Sequence, residues 1–283
     1  MIQRIGEIAN KSFMKVDILN GVRTAQKFFY EKDIECFPAY EDGKLVGLVT
    51  KKELVAAHPN RIIIDVMSRK YKCVDYNTYV WKVREIFDLN KDINVIFVEE
   101  NNDIIGFVTN TTLRIELGKH IDLLTGLYKK EYMVYNAYNL IKSGQDMAII
   151  FIDLNNFGYI DKKYGHINGD RILKDIAEIL KENTPLEAYL CRYAGDEFAI
   201  LTPYCISDSK ELAEEIINSI NKFEFPNNIP VSASIGITGC RFNNKKTANI
   251  QKLINQLVNV SSLASTKAKK NNCSIIIENM DIA

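Results

Sequence analysis

Acidic residues in the C-terminal part of the chain have the types and spacing of a magnesium site. The apolar stretch 147–152 reads as a buried strand that ends at Asp153, and the acidic pair Asp196-Glu197 follows Gly195 in another apolar region. Mg²⁺ prefers carboxylate oxygens and usually keeps coordination positions open for substrate phosphates. Two such ions can activate an attacking hydroxyl and stabilise a leaving phosphate oxygen. These residues therefore predict a site for phosphate chemistry that uses Mg²⁺ or Mn²⁺.

The Asp196-Glu197 pair taken alone is more typical of a charged hairpin tip, because acidic residues are common at exposed turns. Two further features favour a site. One is the strand-end carboxylate of Asp153, and the other is a break in the chain at Gly165-His166 and Gly169-Asp170. Several such features in one order along a chain are much more specific than any one of them.

Strands and helices of a mixed fold are predicted to hold these carboxylates. Residues 189–201 read as two strands around a tight polar turn, and a later strand and helix are predicted at 232–237 and at about 250–269. The helix after the chain break carries apolar residues at helical spacing, which are Ile172, Leu173, Ile176 and Leu180.

The N-terminal part of the chain contains an internal repeat, in which residues 36–50 align with residues 95–109. Each unit reads as a short lead-in, an amphipathic helix, two apolar strands joined by a polar turn, and a second helix. The turns are predicted at Asp42-Gly43 and at Asn101-Asn102-Asp103, because Gly, Asn and Asp tolerate the positive φ of tight hairpins.

Glycine and threonine residues mark the second predicted strand of each unit. Gly47 and Gly106 lie inside strands, where a missing side chain usually lets another group approach the backbone. Thr50 and Thr109 are predicted to be helix N-caps. A helix N-terminus with a free hydroxyl is also a place where a phosphate or ribose can bind, so the threonines have a structural and a functional interpretation.

No Pro-rich or Gly/Ser-rich linker separates the two parts of the chain. Leu113, Leu117 and Ile121 have helical spacing, which predicts one helix over residues 111–122, with Gly118 as its weak point. We expect this helix to leave the first domain and enter the second. Such a stiff connection could transmit rotation or dimer geometry.

Composition narrows the class of protein. The 283 residues include 36 basic and 36 acidic side chains, and zero net charge argues against a protein that coats nucleic acid or an acidic membrane. The apolar runs are far below the ~18 residues of a membrane span, and the N-terminus is charged too early for a signal peptide. Six cysteines without a CxxC pair indicate reduced thiols and no zinc site. We expect a cytoplasmic, two-domain protein that binds neither nucleic acid nor membranes.

The repeat over residues 1–115 resembles a tandem pair of CBS domains. The resemblance rests on the Gly-apolar-Val-Thr signature of each unit and on Phe37-Pro38 in the preceding strand. It implies a pseudo-symmetric pair with clefts for adenosine-type ligands such as AMP, ATP or S-adenosylmethionine, although a pair that only dimerises is the alternative. Ligand-binding members hold the ribose with an aspartate three residues after the threonine, where this chain has Glu53 and Thr112. The candidate ligand residues are Thr50, Glu53 and Thr109.

Residues 122–283 resemble a GGDEF domain, the catalytic module of diguanylate cyclases. Four motifs match in order and spacing: DxLTGL at 122–127, DxxxF at 153–157, YGHxxGD at 164–170 and RYxGDEF at 192–198. The implied fold class is α/β (α+β), with a CBS pair at 1–115, a helical connector at 116–121 and a palm-like GGDEF domain at 122–283. The central β-sheet of that domain is flanked by helices.

The GGDEF resemblance assigns a metal site and catalytic residues. It implies that Asp153 and Asp196 ligate Mg²⁺ (or Mn²⁺) through their carboxylates and that Leu154 contributes its backbone carbonyl. Glu197 is then the other catalytic acid beside Asp196. Gly195 lets the backbone of the hairpin approach the phosphates without a Cβ.

The resemblance also implies contacts to the substrate. Lys269 falls at the position of a phosphate-binding lysine, although a solvated helix end is the alternative for a residue among other lysines. Asp161 and Asp170 occupy the two positions that read the base. Arg192 is expected to pair with Asp122, which would be a structural contact.

The implied reaction is condensation of two GTP into cyclic di-GMP with release of pyrophosphate. Each domain of a homodimer presents one GTP, and the 3′-hydroxyl of one attacks the α-phosphate of the other. Catalysis then depends mostly on positioning and charge neutralisation. A CBS pair that controls dimer geometry would control the rate.

Several positions depart from the family pattern. The replacements are Ala194 for a glycine, Gly158 for a lysine, Cys273 for an arginine, Asn155 for an aspartate and Asp161 for an asparagine. Loss of two cations predicts weaker triphosphate binding, and the ionised carboxylate of Asp161 cannot donate to guanine O6.

The product-inhibition motif RxxD of the family is absent. Its arginine and aspartate would lie at Pro185 and Ala188, which predicts no product inhibition of that type.

Three functions stay open from the sequence. Retention of Asp153, Asp196 and Glu197 favours a CBS-regulated diguanylate cyclase. The two lost cations favour a catalytically inactive receptor that binds GTP or another nucleotide and controls a partner protein. The carboxylate of Asp161 motivates a cyclase with altered base preference, which is the least favoured of the three.

Overall fold

The computed structural model describes residues 3–240 and 249–279, and the chain divides into two compact units, Met1–Lys119 and His120–Ala283. The first unit contains β1 (Val16–Asp17), α1 (Val22–Lys32), β2 (Cys36–Glu41), β3 (Lys44–Thr50), α2 (Lys51–Ala56), β4 (Tyr71–Asp75), α3 (Val80–Leu89), β5 (Val95–Glu100), β6 (Asp103–Thr109) and α4 (Asn110–Gly118). The second contains β7 (Tyr128–Lys129), α5 (Lys130–Lys142), β8 (Met147–Leu154), α6 (Phe157–Tyr164), α7 (His166–Asn183), β9 (Tyr189–Ala194), β10 (Glu197–Thr202), α8 (Ile206–Lys222), β11 (Ala233–Cys240), α9 (Ile250–Lys270) and β12 (Ile275–Ile277).

The first unit confirms the internal repeat, because its two halves form sheets of the same topology. Each sheet has three strands, ordered β1-β2-β3 and β4-β5-β6, with one parallel and one antiparallel pairing. The short strands β1 and β4 were not predicted. The hairpin turns have positive φ at Asp42, Gly43, Asn101 and Asn102, as their residue types predicted.

The two strand glycines admit the lead-in segment of the other repeat. A Cβ on Gly47 would lie 2.6 Å from Met67 Sδ, and a Cβ on Gly106 would lie 2.8 Å from Ala9 Cβ. These contacts confirm the prediction that another part of the chain approaches the backbone at both positions.

The predicted continuous connecting helix is wrong. The helix α4 ends at Gly118, and residues 119–120 form a turn. Ile121 then pairs with Tyr128 in an isolated β-bridge, and the Asp122 amide donates to the Leu127 carbonyl at 2.8 Å. A glycine lowers helix stability by about 1 kcal/mol relative to alanine, and the bridge and turn beyond Gly118 use the backbone groups that a longer helix would need.

The second unit is built on a six-stranded sheet with the order β12-β11-β8-β10-β9-β7. The central strand β8 is antiparallel to both β10 and β11. Ile150 and Ile152 belong to a core cluster shared with α7 and α8, whereas Ile149 and Phe151 belong to a cluster shared with α5 and α9. Helices therefore cover both faces, which confirms the predicted sheet flanked by helices and explains why β8 is apolar at successive positions.

The helix α9 packs directly on the backbone of β11. A Cβ on Gly236 would lie 1.9 Å from the Ser261 carbonyl oxygen, so no side chain fits between the strand and the helix. This close contact positions the C-terminal turn of α9, which carries Lys269. Among the described residues, no helix combines the length and apolar character needed to cross a membrane.

Candidate active site

Strand pairing brings the acidic residues of the C-terminal unit to one edge of the sheet. In the register of β8 and β10, Asp153 lies directly opposite Glu197. Asp196 precedes β10 in the hairpin turn, and its carbonyl accepts the Leu154 amide at 3.4 Å. The side chains of Asp153, Asp196 and Glu197 are all partly exposed at this edge.

Lys269 reaches this edge from α9 and contacts two of the predicted metal-binding groups. Its Nζ donates to Asp153 Oδ1 at 2.5 Å and to the Leu154 carbonyl oxygen at 2.8 Å. The Asp153 and Lys269 side chains are 15% and 29% exposed, so the ion pair is largely shielded from solvent. Two oxygen atoms of β8 therefore converge on one cation. The contact also shows that Lys269 is not a freely solvated helix end.

The electrostatics of the edge favour a cation. Burial, followed by the negative charge of Asp153, raises the pKa of Asp196. Burial also raises the pKa of Glu197, to which Asp153 and Asp196 add their repulsion. Lys269 opposes both shifts. Carboxylates whose ionised form is disfavoured, as those of Asp196 and Glu197 are, bind a positive charge more readily than isolated ones.

The donor set fits Mg²⁺. Within residues 3–240 and 249–279, no group of three or more His, Cys, Asp and Glu side chains is arranged to hold a metal ion. The candidate site instead combines Asp153 and Asp196 with the Leu154 carbonyl. Mg²⁺ is commonly bound by one or two carboxylates together with substrate phosphates and water, and a backbone carbonyl oxygen is a further ligand type that hard cations use. The oxygen atoms of β8 that converge on Lys269 meet that requirement.

We expect Glu197→Gln to stabilise the metal-free protein. An acid whose pKa is raised in the folded state binds its proton more tightly there than when unfolded, so its charge is unfavourable above the raised pKa. The gain should be about 1–3 °C in the melting temperature of the second unit at pH 7.5 with EDTA, and it should disappear as the pH falls towards the ordinary range of a glutamate. Scanning calorimetry measures it, with the exposed Glu182→Gln as control. A lower melting temperature than wild type would contradict the repulsion.

The hairpin between β9 and β10 is tied to the turn that opens the second unit. Arg192 Nη1 donates to Asp122 Oδ1 at 2.8 Å, which confirms the predicted pair, and Arg192 Nε donates to the Gly195 carbonyl at 2.8 Å. Asp122 also accepts from the amide and hydroxyl of Thr125. Burial acts to raise the pKa of Asp122, but the hydrogen bonds from Arg192 and Thr125 lower it. One guanidinium thus positions both the entry turn and the acidic hairpin.

The backbone conformation of the hairpin requires glycine at position 195 but not at position 194. Gly195 has φ of +52° and no atom within 4 Å of the place where a Cβ would be, whereas Ala194 is absent from the residues with positive φ. The replacement of the first signature glycine by Ala194 therefore introduces no backbone strain.

Two alanine/glycine exchanges test this assignment. Gly195→Ala should destabilise the hairpin by about 1–2 kcal/mol because alanine disfavours positive φ. Ala194→Gly, which restores the family signature, should change stability by less than about 1 kcal/mol and leave turnover within about twofold. Hydrogen exchange over residues 189–202 reports the stability of the hairpin. A strong gain in turnover from Ala194→Gly would show that the methyl group obstructs the site.

The predicted base-reading residues lie on α6 and α7. Asp161 Oδ2 lies 3.1 Å from His166 Nδ1, a contact that the sequence did not indicate. A Cβ on Gly169 would lie 1.9 Å from Asp161 Oδ1, so this glycine leaves the space that the carboxylate occupies. Asp170 follows on α7 and is exposed. Asp161 thus lies beside an imidazole nitrogen that donates a hydrogen bond to the carboxylate when it carries a hydrogen.

Asn155 has a local role that the sequence did not reveal. Its Nδ2 donates to Ser232 Oγ at 3.0 Å, and its Oδ1 accepts from Ser234 Oγ at 2.9 Å. These bonds join the end of β8 to the start of β11. The side chain at the second acidic position of the family is therefore held by two serines and does not join the three carboxylates. The Ser-Ala-Ser sequence at 232–234 was the signal that could have indicated this network.

The two positions that lost cations contribute no charge near the site. Gly158 lies in α6 with no atom within 4 Å of a would-be Cβ, and Cys273 Sγ contacts the Ala268 carbonyl at 3.7 Å. Pro185 and Ala188 lie in the segment between α7 and β9. Within the part of the chain that the structure describes, Lys269 is a cation that contacts one of the carboxylates of the site directly.

The predicted ligand residues of the first unit act as helix caps. Thr50 and Glu53 form a capping box at α2, in which Glu53 Oε2 accepts from the Thr50 amide at 2.9 Å and from its hydroxyl at 2.5 Å. Thr109 Oγ1 accepts from the Thr112 amide at 3.1 Å at the start of α4. Both threonines are N-caps, as predicted.

A cavity of about 510 Å³ lies beside α2. Its lining includes Glu53 together with the basic side chains of Lys52, His58 and Arg61, and Val66 from the lead-in of the second repeat. Cations around a carboxylate suit a ligand that carries both hydroxyl and phosphate groups.

The fold and the acidic edge define a protein of two units whose C-terminal unit is a mixed α/β domain with carboxylates at one edge of its sheet, and sequence comparison gives the family. The profile described as "Diguanylate cyclase, GGDEF domain" matches residues 119–272, more than half of the chain, so the chain belongs to the GGDEF family. The profile of the CBS domain matches residues 5–60 and 63–119. The predicted order of a CBS pair followed by a GGDEF domain is confirmed.

Curated relatives match about half of the chain. The chain is 28% identical over 135 residues to the diguanylate cyclase VdcA of Vibrio cholerae. The aligned region covers 47% of this chain and 38% of VdcA. It is 30% identical over 167 residues to the uncharacterised protein YtrP of Bacillus subtilis, covering 58% of this chain and 27% of YtrP. The chain therefore spans well under half the length of these relatives.

Solved structures with the same fold are GGDEF proteins. Diguanylate cyclase SiaD, solved in complex with its activator SiaC from Pseudomonas aeruginosa, has a TM-score of 0.51 at 22% identity, with 60% of this chain and 65% of that chain covered. The GGDEF domain of FimX from the same species has a TM-score of 0.50 at 21% identity, with 56% and 99% covered. At this identity the likeness establishes the palm-like fold of the C-terminal unit.

Proposed function

We propose that this protein is a diguanylate cyclase that condenses two GTP into cyclic di-GMP and is regulated through its CBS pair. The observation that carries the proposal is the convergence of Asp153, the Leu154 carbonyl, Asp196 and Glu197 at one edge of the palm sheet, with a cation already bound between two of these groups. Carboxylates that lie together at the end of paired strands can hold the metal ions that assist attack on a phosphate. The relative VdcA bears the name of the same activity.

The residues of the site have separable roles in this reaction. Asp153, Asp196 and the Leu154 carbonyl would hold Mg²⁺ or Mn²⁺, which would supply charge neutralisation for the triphosphate. Gly195 presents hairpin backbone without a side chain at the phosphates. Glu197, the third carboxylate, takes the proton of the attacking 3′-hydroxyl as the new bond to the α-phosphorus forms and pyrophosphate leaves.

Two protomers are needed because each domain offers one triphosphate and one attacking hydroxyl. The second half of the reaction repeats the first with the roles exchanged, so one cyclic di-GMP and two pyrophosphates form from two GTP. Holding the two nucleotides face to face supplies most of the rate gain. Asp161 and Asp170 bind the base from α6 and α7.

The cavity beside α2 is proposed to take an adenosine-type ligand such as AMP, ATP or S-adenosylmethionine. Its cations at Lys52 and Arg61 would contact the phosphates or carboxylate of the ligand, the His58 ring would offer a further hydrogen bond, and Glu53 would accept hydroxyl hydrogen bonds through its second oxygen. Thr50 and Thr109 would contribute through the N-termini of their helices. A ligand that changes the packing of the CBS pair would change how often the catalytic domains meet.

Two specific observations support alternative functions. Gly158 and Cys273 supply no cation, and Lys269 is paired with Asp153, which favours a receptor that binds nucleotide without turning it over. The Asp161–His166 contact favours a cyclase with altered base preference, since a carboxylate accepts from the adenine amino group as well as from guanine.

Turnover with defined nucleotides separates these functions. Purified protein is incubated with Mg²⁺ and GTP, ATP or both, with and without AMP, ATP or S-adenosylmethionine as effector, and cyclic dinucleotides are identified by mass spectrometry. The proposal predicts cyclic di-GMP from GTP alone and a change in its rate with one effector. Mixed or adenine-containing products would support altered base preference, and nucleotide binding without any product would support the receptor.

A further inference from the structure

Lys269 makes contacts that differ from those of a lysine reserved for phosphate. Its ammonium group binds Asp153 Oδ1 and the Leu154 carbonyl, the two β8 groups assigned to the metal. Its charge also acts on the carboxylates of Asp196 and Glu197. The ammonium group of Lys269 therefore lies in contact with groups that would coordinate a metal ion.

An ammonium group and a metal ion compete for the same two oxygens. The two ammonium contacts, at 2.5 and 2.8 Å, place a positive charge beside both oxygens that the metal would use. Two positive charges placed within a few ångströms of each other also repel strongly in a site with little solvent. Charge repulsion therefore favours metal binding after the Lys269 side chain has left Asp153 and Leu154.

We propose that Lys269 is an internal counter-cation that closes the metal position in the nucleotide-free protein and is exchanged for Mg²⁺ when the metal arrives with a triphosphate. The inference rests on the proposed function for the identity of the metal-binding groups. The triphosphate offers the displaced ammonium group a new anionic partner. Metal without nucleotide offers none, so free metal binds weakly and metal and nucleotide bind together.

The helix that carries Lys269 allows this exchange without a change of fold. The contact of α9 with Gly236 of β11 fixes the helix backbone. The lysine side chain is long and 29% exposed, so rotation of its side chain is sufficient to release the two oxygens. Lys267, two residues earlier, pairs with Glu278 at 2.7 Å and lies outside the site, which makes it a matched control.

Binding of Mn²⁺ alone tests the exchange. Free Mn²⁺ is measured by electron paramagnetic resonance in titrations of the full chain without nucleotide. Lys269→Met and Lys269→Gln should each bind Mn²⁺ about tenfold or more tightly than wild type, because one positive charge has been removed from the metal position. Lys269→Arg keeps the charge and should stay close to wild type, as should Lys267→Met.

Unchanged Mn²⁺ affinity in folded Lys269→Met and Lys269→Gln proteins would overturn the proposal. If neither variant folds, acetylation of the wild-type lysines decides: addition of millimolar Mn²⁺ should raise the labelling of Lys269 relative to Lys267, and an unchanged ratio overturns the exchange. The readouts do not need turnover. Tighter Mn²⁺ binding without cyclic product would reject the cyclase and keep the exchange, whereas product with unchanged Mn²⁺ binding would reject the exchange alone.

Discussion

Replacement of Asp196 by asparagine is expected to lower cyclic di-GMP formation by more than about a thousandfold while the fold is retained. Asp196 is one of two carboxylates assigned to the metal, and an amide binds a divalent cation far more weakly than a carboxylate does. The side chain is also strained electrostatically, because burial and Asp153 raise its pKa. Removal of its charge should leave the metal-free protein at least as stable as wild type. Initial rates of product formation and the melting temperature are the two measurements.

An exposed aspartate of the same unit provides the control for this variant. Asp208→Asn, in the first turn of α8, removes the same charge far from the β8 and β10 edge. It should leave turnover within about twofold. Activity retained by Asp196→Asn would mean that the metal-binding groups have been placed wrongly, and loss of the fold would mean that the carboxylate has a structural role.

Arg192→Ala is expected to destabilise the acidic hairpin by about 2–4 kcal/mol and to reduce turnover strongly. The guanidinium joins two partners, Asp122 and the Gly195 carbonyl, with side chains of Arg192 and Asp122 only 13% and 21% exposed. Removal of the guanidinium leaves the partly buried Asp122 carboxylate without its ion-pair partner, which costs stability. Without the tie, Asp196 and Glu197 lose the fixed position on which catalysis depends. Hydrogen exchange over residues 189–202 measures the loss locally.

The shape of the guanidinium matters as much as its charge. Arg192→Lys should recover only part of the stability, because one ammonium group cannot reach both partners in the geometry of the planar fork. Asp122→Asn combined with Arg192→Ala completes a double-mutant cycle, which should give a coupling energy of more than about 1 kcal/mol. The exposed Arg171→Ala serves as control. Additive effects of the two substitutions would contradict the tie.

Local residue chemistry predicted the parts of the fold that depend on backbone conformation. Asp42-Gly43 and Asn101-Asn102 indicated the hairpins because few other residues tolerate positive φ, and those angles are present. Gly47 and Gly106 predicted that another segment approaches the strand backbone, because a glycine inside a strand often marks such a contact. The lead-in segments lie in the space that a side chain would occupy at these positions. The Arg192–Asp122 pair followed from the family motifs, and the ion pair is present.

Features that depend on competition between distant groups could not be predicted in the same way. The apolar spacing up to Ile121 favoured a longer helix, but the β-bridge to Tyr128 competes for that residue. The lysine at 269 was expected to face phosphate, yet its partners depend on how α9 packs on β11 and on the charges around it. The contact of Asp161 with His166 likewise depends on the path of the chain at Gly165, where φ is +84°.

Analysis of the products from GTP tests the central claim most directly. The full chain is incubated with Mg²⁺ and GTP as substrate, with and without each effector, and cyclic di-GMP and pyrophosphate are quantified over time in wild type and Asp196→Asn. The account predicts two pyrophosphates for each cyclic di-GMP in the wild type and neither product in the variant. Wild-type protein that binds GTP but forms no cyclic di-GMP, with every effector tested, would contradict it.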